Sequence, residues 1–82
     1  MSNVIHTGHG HFVAKEKVAS LTVLANSQSP MPAWRQIRAA EEAGRLIMHT
    51  SGKRPRSLLH LDSGYLVVSS VEASTLVKRW ED

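Results

Sequence analysis

The chain has 82 residues and no cysteine, so one small hydrophobic core must hold its fold together without a disulfide. A core of this size supplies only about 3–5 kcal/mol of stability. Association between copies is another general source of stability for a small domain. We therefore expect a single domain over residues 1–82 that forms a homo-oligomer.

Short apolar runs bounded by turn residues predict strands, and apolar residues at helical spacing predict two helices. Pro32 is favoured at a first helical position and Gly44 is a suitable stop, which places the first helix between them. The second helix is predicted over residues 72–80, and a polar loop over residues 26–29. The predicted strands cover residues 3–6, 12–14, 18–24, 46–49, 57–61 and 65–69. The order βββαβββα indicates an α+β fold, with a small antiparallel sheet and two helices.

The same periodicities assign faces to these elements. Apolar stripes are predicted on the first helix at Trp34, Ile37 and Ala40, and on the second at Ala73, Leu76, Val77 and Trp80. Lys78 and Arg79 are predicted to point away from the second stripe. In the third strand, alternation separates Val18, Ser20, Thr22 and Leu24 from Leu21 and Val23.

The segment Gly52-Lys53-Arg54-Pro55-Arg56 places three cations within four positions, between two apolar runs that resemble neighbouring strands of a hairpin. Charges this close repel each other unless an anion neutralises them. Arginine guanidinium groups offer forked donors to phosphate oxygens, and proline limits the backbone freedom that binding would remove. We interpret the segment as a phosphate-binding loop. The alternative is a solvated hairpin tip that keeps the sheet soluble.

The distribution of charge favours a directional basic face. The net charge is only +3, but residues 35–56 contain six cations and two anions. A basic segment on a chain of modest net charge is typical of a nucleic-acid-binding surface, and duplex DNA is the natural polyanion.

Three histidines at the amino-terminal turn, His6, His9 and His11, suggest a metal site, but no cysteine exists and the nearest acidic residue is Glu16. We therefore expect exposed turn histidines and no bound metal. His49 and His60 are expected on strand faces near the basic loop, where they would add charge below neutral pH.

Catalysis is not expected. Gly52-Lys53 lacks the earlier glycine of a phosphate-binding loop, since position 47 is isoleucine, and Arg54 replaces the Ser or Thr that would hold magnesium. No serine, histidine and acid are spaced as a triad, and the chain is short for a catalytic cleft. We predict no catalytic residue and no cofactor.

The two tryptophans, Trp34 and Trp80, could stack on the bases of a single-stranded nucleic acid. Their positions on apolar helical stripes favour packing in the core or between subunits.

The first eleven residues lack the basic stretch and apolar segment of a secretory signal. Nowhere does an apolar run approach the roughly 18 residues that a membrane span needs. We expect a cytoplasmic, nucleoid-associated protein.

Several separated motifs occur in a characteristic order: Gly8-x-Gly10, a helix opening at Pro32, Gly52-Lys53-Arg54-Pro55-Arg56, Asp62-Ser63, and Val68-Ser69-Ser70-Val71. This order, from about Gly8 to Leu76, resembles the RemA family of bacterial extracellular-matrix regulators. The loop of that family reads Gly-Arg-Arg-x-Arg. Gly52, Arg54 and Arg56 match it directly, while Lys53 replaces an arginine and keeps the charge without the bidentate geometry.

The resemblance implies a non-enzymatic, DNA-binding regulator of transcription and of biofilm matrix, which assembles dimers into rings and presents basic loops to DNA. Lys17 falls where the family places another DNA-contacting arginine, and Arg35 matches a basic position in the first turn of the helix. The predicted DNA-binding residues are Lys17, Arg35, Lys53, Arg54 and Arg56. The predicted partners are duplex DNA and further copies of the chain, with no membrane and no small-molecule substrate. Two alternatives stay open: a module whose loop binds an acidic protein, and an RNA-binding module.

Overall fold

The structure is a computed structural model that describes residues 3–24 and 31–81. The predicted order βββαβββα is confirmed, with a turn of 3-10 helix at Lys15–Lys17. The loop predicted over residues 26–29 lies outside the described residues. The elements are β1 Val4–Gly8, β2 His11–Ala14, β3 Val18–Val23, α1 Met31–Glu42, β4 Leu46–His49, β5 Ser57–Leu61, β6 Leu66–Ser69 and α2 Ala73–Glu81.

The first helix ends as its sequence predicts. Gly44 has φ +71°, in the left-handed region that glycine adopts without a steric penalty. The amide of Arg45 then donates to the carbonyl of Ala40 at 2.8 Å, and the amide of Gly44 donates to the carbonyl of Glu41 at 3.2 Å. These bonds satisfy carbonyls at the helix end and turn the chain toward β4.

Four strands form one sheet in the order β3-β5-β6-β4, and β1 and β2 form a separate hairpin. Within the sheet, β3, β5 and β6 pair antiparallel, whereas β4 lies parallel to β6. The expectation that β4 and β5 are neighbours in a hairpin is wrong. Strand β6 lies between them, so the basic segment is a crossover from the edge strand β4 to the inner strand β5.

The sheet has a hydrophobic cluster on each face because side chains alternate along β5 and β6. Leu58 and Val68 pack toward α1, together with Leu24, Ala33, Ala40 and Leu66. Leu59 and Val67 pack on the opposite face, together with Ile5, Val13 and Leu76. The helix α2 and the β1-β2 hairpin therefore cover the face that α1 leaves free.

A bulge changes the faces of β3. Its register against β5 shifts between Val18 and Ser20, so one residue of β3 has no direct partner. Val18 and Leu21 consequently pack in the same cluster, on the α2 face, while Leu24 packs on the α1 face. The simple alternation predicted for this strand, with Val18 and Leu24 on one face, is wrong for this reason.

The helical stripes are partly as predicted. In α1 the residue buried with Ala40 is Ala33, which is 5% exposed, whereas Trp34 is 38% exposed. In α2 Ala73 and Leu76 are buried, whereas Val77 and Trp80 remain 45% and 42% exposed. No helix in the described ranges has the length and apolar character needed to cross a membrane.

Candidate nucleic-acid interface

The basic loop, residues 50–56, starts with a tight turn. The amide of Lys53 donates to the carbonyl of Thr50 at 2.8 Å, and the two residues between them, Ser51 and Gly52, have φ +49° and +81°. Positive φ at both central positions is typical of a type I′ turn, in which glycine is favoured. Thr50 is buried while Lys53 and Arg54 are exposed, so the turn directs the first two cations into solvent.

The last cation of the loop, Arg56, has its backbone fixed in the sheet. Its amide donates to the carbonyl of Ser69 at 2.8 Å, and its carbonyl accepts from the amide of Leu24 at 2.9 Å. Its side chain donates from Nη1 to Oε1 of Glu72 at 3.3 Å. A cation held this way loses little backbone freedom when it binds a ligand.

Arg54 and Arg56 line a common groove of about 330 Å³. The end of β3 and the start of α2 supply the remaining walls, through Val23, Leu24, Glu72, Ala73 and Ser74. Two guanidinium groups at one groove suit an anion, and Glu72 is the acidic group that competes for them.

The structure brings Arg35 to the loop's end of the sheet but not Lys17. The end of α1 lies at the opposite end of the sheet, where the carbonyl of Arg45 accepts from the amide of Leu66 at 2.9 Å. Ala33 belongs to the same buried cluster as Leu24, so the first turns of α1, and the exposed Arg35, lie toward the loop. Lys17 lies at the opposite end, where its carbonyl accepts from the amide of Asp62 at 2.8 Å. The six residues of β3 separate the two ends by about 20 Å. One copy therefore presents Lys17 apart from the loop.

His49 immediately precedes the basic loop and joins it to the amino-terminal hairpin. Its ring stacks on that of His11, with centroids 4.2 Å apart and planes 6° apart, and its Nδ1 lies 2.7 Å from Oγ1 of Thr7. Burial lowers the pKa of His49 below its ordinary value, and the neighbouring His11 lowers this pKa further. His49 therefore stays neutral at lower pH than was expected for a charged residue beside the loop.

The other histidines of the hairpin contact protein groups. Nε2 of His6 accepts from the amide of Gly10 at 3.2 Å, and Nε2 of His9 lies 3.3 Å from Oγ of Ser70. Among the described residues, no three His, Cys, Asp or Glu side chains lie together as a metal site.

Sequence reasoning missed a set of buried hydroxyl groups beneath the loop. Oγ of Ser69 donates to the carbonyl of Thr7 at 2.6 Å and accepts from the amide of Val71 at 3.0 Å. Oγ of Ser57 donates to the carbonyl of Val71 at 2.8 Å. Ser57, Ser69 and Thr7 are fully buried, in positions where alternation alone predicts apolar side chains. The serines around Val71 were visible as a motif, but their partners are distant in sequence.

Arg79 also has an unexpected partner. Its Nη1 donates to the carbonyl of His6 at 2.7 Å, so the prediction that it points away from the packed face of α2 is wrong. The long side chain reaches from the helix to β1 and satisfies a backbone acceptor there.

Three bacterial relatives align over nearly the whole chain, and the name of each begins with "Putative regulatory protein". The one from Maridesulfovibrio salexigens is 33% identical over 94% of this chain and 85% of its own length. The one from Oleidesulfovibrio alaskensis is 32% identical over 94% and 87%. The one from Geobacillus kaustophilus is 30% identical over 96% and 86%. These names describe regulators rather than enzymes.

The profile of the RemA-like family, described as "Extracellular matrix regulatory protein A-like", matches residues 4–80. The match includes every described strand, the basic loop and all but the last residue of α2. The chain therefore belongs to the RemA-like family.

Proposed function

We propose that this protein is a non-enzymatic regulator that binds the phosphates of duplex DNA through Lys53, Arg54 and Arg56. The observation that carries the proposal is the shared groove of Arg54 and Arg56, beside a turn that exposes Lys53. Membership of a family whose named relatives are regulatory proteins supports the regulatory part. Such a protein acts in the cytoplasm, associated with the nucleoid.

Binding requires several copies. One loop offers three cations. Each phosphate that a cation neutralises adds to the affinity by releasing counterions, and this contribution becomes smaller as the salt concentration rises. A homo-oligomer, in the form of a ring of dimers, repeats the loop along one continuous DNA and gains affinity through effective concentration. This arrangement makes the affinity depend steeply on salt.

Two further cations assist the loop in this proposal. Arg35 lies at the same end of the sheet as the loop and contributes from its own copy. Lys17 lies at the other end, so it reaches DNA beside the loop of another copy. Both side chains are exposed, as binding to phosphate requires.

The test is a titration of duplex DNA over a range of salt, with the double variant Arg54→Ala/Arg56→Ala. We expect the variant to lose retention on DNA, and its salt slope to become shallower by about 0.9 for each phosphate that is no longer neutralised. The matched control is Arg45→Ala/Lys78→Ala, which removes the same charge from exposed positions away from the groove. It should retain most of the affinity.

Unchanged DNA affinity in the Arg54→Ala/Arg56→Ala variant, with its oligomer intact, would refute the proposal. Competition experiments separate the alternatives. Preference for duplex RNA over duplex DNA would assign the loop to RNA, and binding only to an acidic polypeptide would assign it to a protein partner.

A further inference from the structure

Within the described ranges one edge of β3 is open, because β3 is hydrogen-bonded there to one strand, β5. The amide of Leu24 donates to the carbonyl of Arg56, which immediately precedes β5, and an antiparallel ladder uses alternate residues. The amides and carbonyls of Leu21 and Val23 therefore point to the open side, where they form a template for another strand.

The residues of the strand itself provide little of the usual protection. Natural edge strands are protected by charged residues, proline or bulges. The bulge of β3 lies at its beginning, and residues 20–23 contain neither a charge nor a proline. Val23 is 55% exposed at the end of the strand. An unprotected edge of this kind is typical of a surface that pairs with another chain.

An apolar groove lies beside the same edge. It has a volume of about 270 Å³ and separates β3 from α2, with Val18 and Leu21 on one side and Val77 and Trp80 on the other. A strand added to β3 would lie next to this groove and cover its half-exposed side chains. The other edge strand, β4, has only four residues, and its end is tied to the hairpin through His49 and Thr7.

We infer that β3 pairs with β3 of a second copy, antiparallel, about a two-fold axis perpendicular to the sheet. This axis keeps both α2 helices on the same face, so the two grooves lie side by side. The other two-fold arrangement pairs the strands in parallel and places the helices on opposite faces, where the grooves do not meet.

Charge favours the antiparallel arrangement. Near the beginning of β3, three acidic side chains outnumber two cations: Glu16, Asp62 and Glu81 against Lys15 and Lys17. Arg54 and Arg56 lie near its end. Antiparallel pairing therefore brings the end with a net negative charge in each copy toward the arginines of the other. Parallel pairing would bring the two sets of arginines together.

The dimer also completes the basic surface. Antiparallel pairing carries Lys17 of each copy toward the end of the other β3, where Leu24 is bonded to Arg56. The fold separates Lys17 from the loop within one copy, and the two-fold axis brings them to one end across the interface. This consequence for DNA rests on the proposed function, whereas the strand pairing itself does not.

A proline at position 23 tests the pairing. The amide of Val23 points away from β5, so Val23→Pro removes an intermolecular bond and leaves the ladder to β5 intact. Val23→Thr is the matched control, because it keeps the amide and the β-branched side chain. In the absence of DNA, we expect the solution mass of Val23→Pro to fall at least twofold while Val23→Thr keeps the mass of the original chain. A folded Val23→Pro with unchanged mass, or a monomeric original chain, overturns the inference.

Cross-linking gives a second test that does not depend on the folding of the proline variant. The chain has no cysteine, so Thr22→Cys introduces a single thiol between the two outward-facing residues. In every strand register that pairs Leu21 and Val23 with the second copy, this thiol lies close to the same thiol of that copy. A short bis-maleimide should therefore give a covalent dimer. Ser63→Cys, in the exposed turn after β5, is the control and should not cross-link. Equal cross-linking of the two variants contradicts the inference.

Mixing variants tests the shared basic surface. Neither Lys17→Ala nor Arg54→Ala/Arg56→Ala should bind DNA as well as the original chain, but a mixed dimer of the two retains one complete surface. Mixing should therefore recover part of the affinity, and no recovery would overturn the shared surface. If the original chain binds no DNA but Val23→Pro still loses mass, the proposed function fails and the interface stands. If DNA binding is confirmed and the mass of Val23→Pro is unchanged, the interface fails and the function stands.

Discussion

Nη1 of Arg56 lies 3.3 Å from Oε1 of Glu72, so the last cation of the basic loop is paired with the residue that precedes α2. The pair is open to solvent, with 50% of the arginine side chain and 63% of the glutamate side chain exposed. An ion pair this exposed contributes about 0–1 kcal/mol to stability. Glu72 therefore holds Arg56 weakly, and a phosphate that binds the same guanidinium must displace it.

Replacing Glu72 with Gln should strengthen DNA binding. The substitution keeps the size of the side chain and removes the competing charge, so we expect affinity to rise about two- to fivefold at low salt. Fluorescence anisotropy with a labelled duplex measures the change. The control is Glu42→Gln, which changes the net charge equally at an exposed position at the end of α1. The competition is refuted if the two variants have the same effect.

Replacing Ser69 with Ala should destabilise the fold. Its hydroxyl is fully buried, donates to the carbonyl of Thr7 and accepts from the amide of Val71. Removing it takes one hydrogen bond from each of these two backbone groups, which costs about 1–3 kcal/mol. Urea unfolding measures this decrease in stability. Ser70→Ala removes only an exposed contact with His9 and should cost less, so an equal decrease in both variants would contradict our interpretation.

Acidification should destabilise the protein through His49. Its pKa in the folded chain is below the ordinary value of 6.5, first because of burial and then because of His11. Between the two values the unfolded chain binds more protons, so the free energy of unfolding rises with pH. This contribution is complete above the ordinary value and is lost as pH falls from there through the lowered pKa.

The measurement is urea unfolding between about pH 7.5 and about pH 5, the range in which histidine titrates. The slope of stability against pH should be smaller in His49→Asn than in the original chain. His11→Asn removes the second cause of the shift and should reduce the slope by a smaller amount. An unchanged slope in His49→Asn would show that this histidine does not couple folding to pH.

Replacing Leu58 with Ala should cost about 2–5 kcal/mol, because its side chain is fully buried between the sheet and α1. Met48→Ala on the edge strand β4 is the comparison, since Met48 is 50% exposed and its replacement should cost no more than about 0.5 kcal/mol. Thermal or urea unfolding measures both. Similar costs at the two positions would contradict the core described for the α1 face.

The elements could be predicted because their signals are local. Pro32 and Gly44 bound α1 through their own backbone preferences, and the apolar runs of β4 to β6 have the length of strands. The topology could not be predicted in this way. Nothing within the run 46–49 indicates whether it pairs with β5 or β6, since that choice depends on contacts across the whole sheet.

The cations of the basic loop could be predicted as a cluster, but their surroundings could not. The partner of Arg56 lies 16 residues away at Glu72, and the end of β3 reaches the loop only after folding. A single bulged residue reversed the face of Val18 relative to Leu24, an effect that strict alternation cannot include. Predictions from spacing therefore failed where long-range contacts or one extra residue decided the geometry.

Arg56 is the last residue of the crossover from β4 to β5, and its backbone makes the first hydrogen bonds to the strands on either side of β5. Its amide and carbonyl reach β6 and β3 on either side through bonds that run across the strands. A mechanical load on its guanidinium group enters β5 and is shared at once by both neighbouring strands. A force along β5 acts at right angles to these hydrogen bonds, so the bonds carry the force at the same time instead of breaking one after another. Tension in a duplex bound as proposed would accordingly be carried by the sheet, and the loop would not peel away under load.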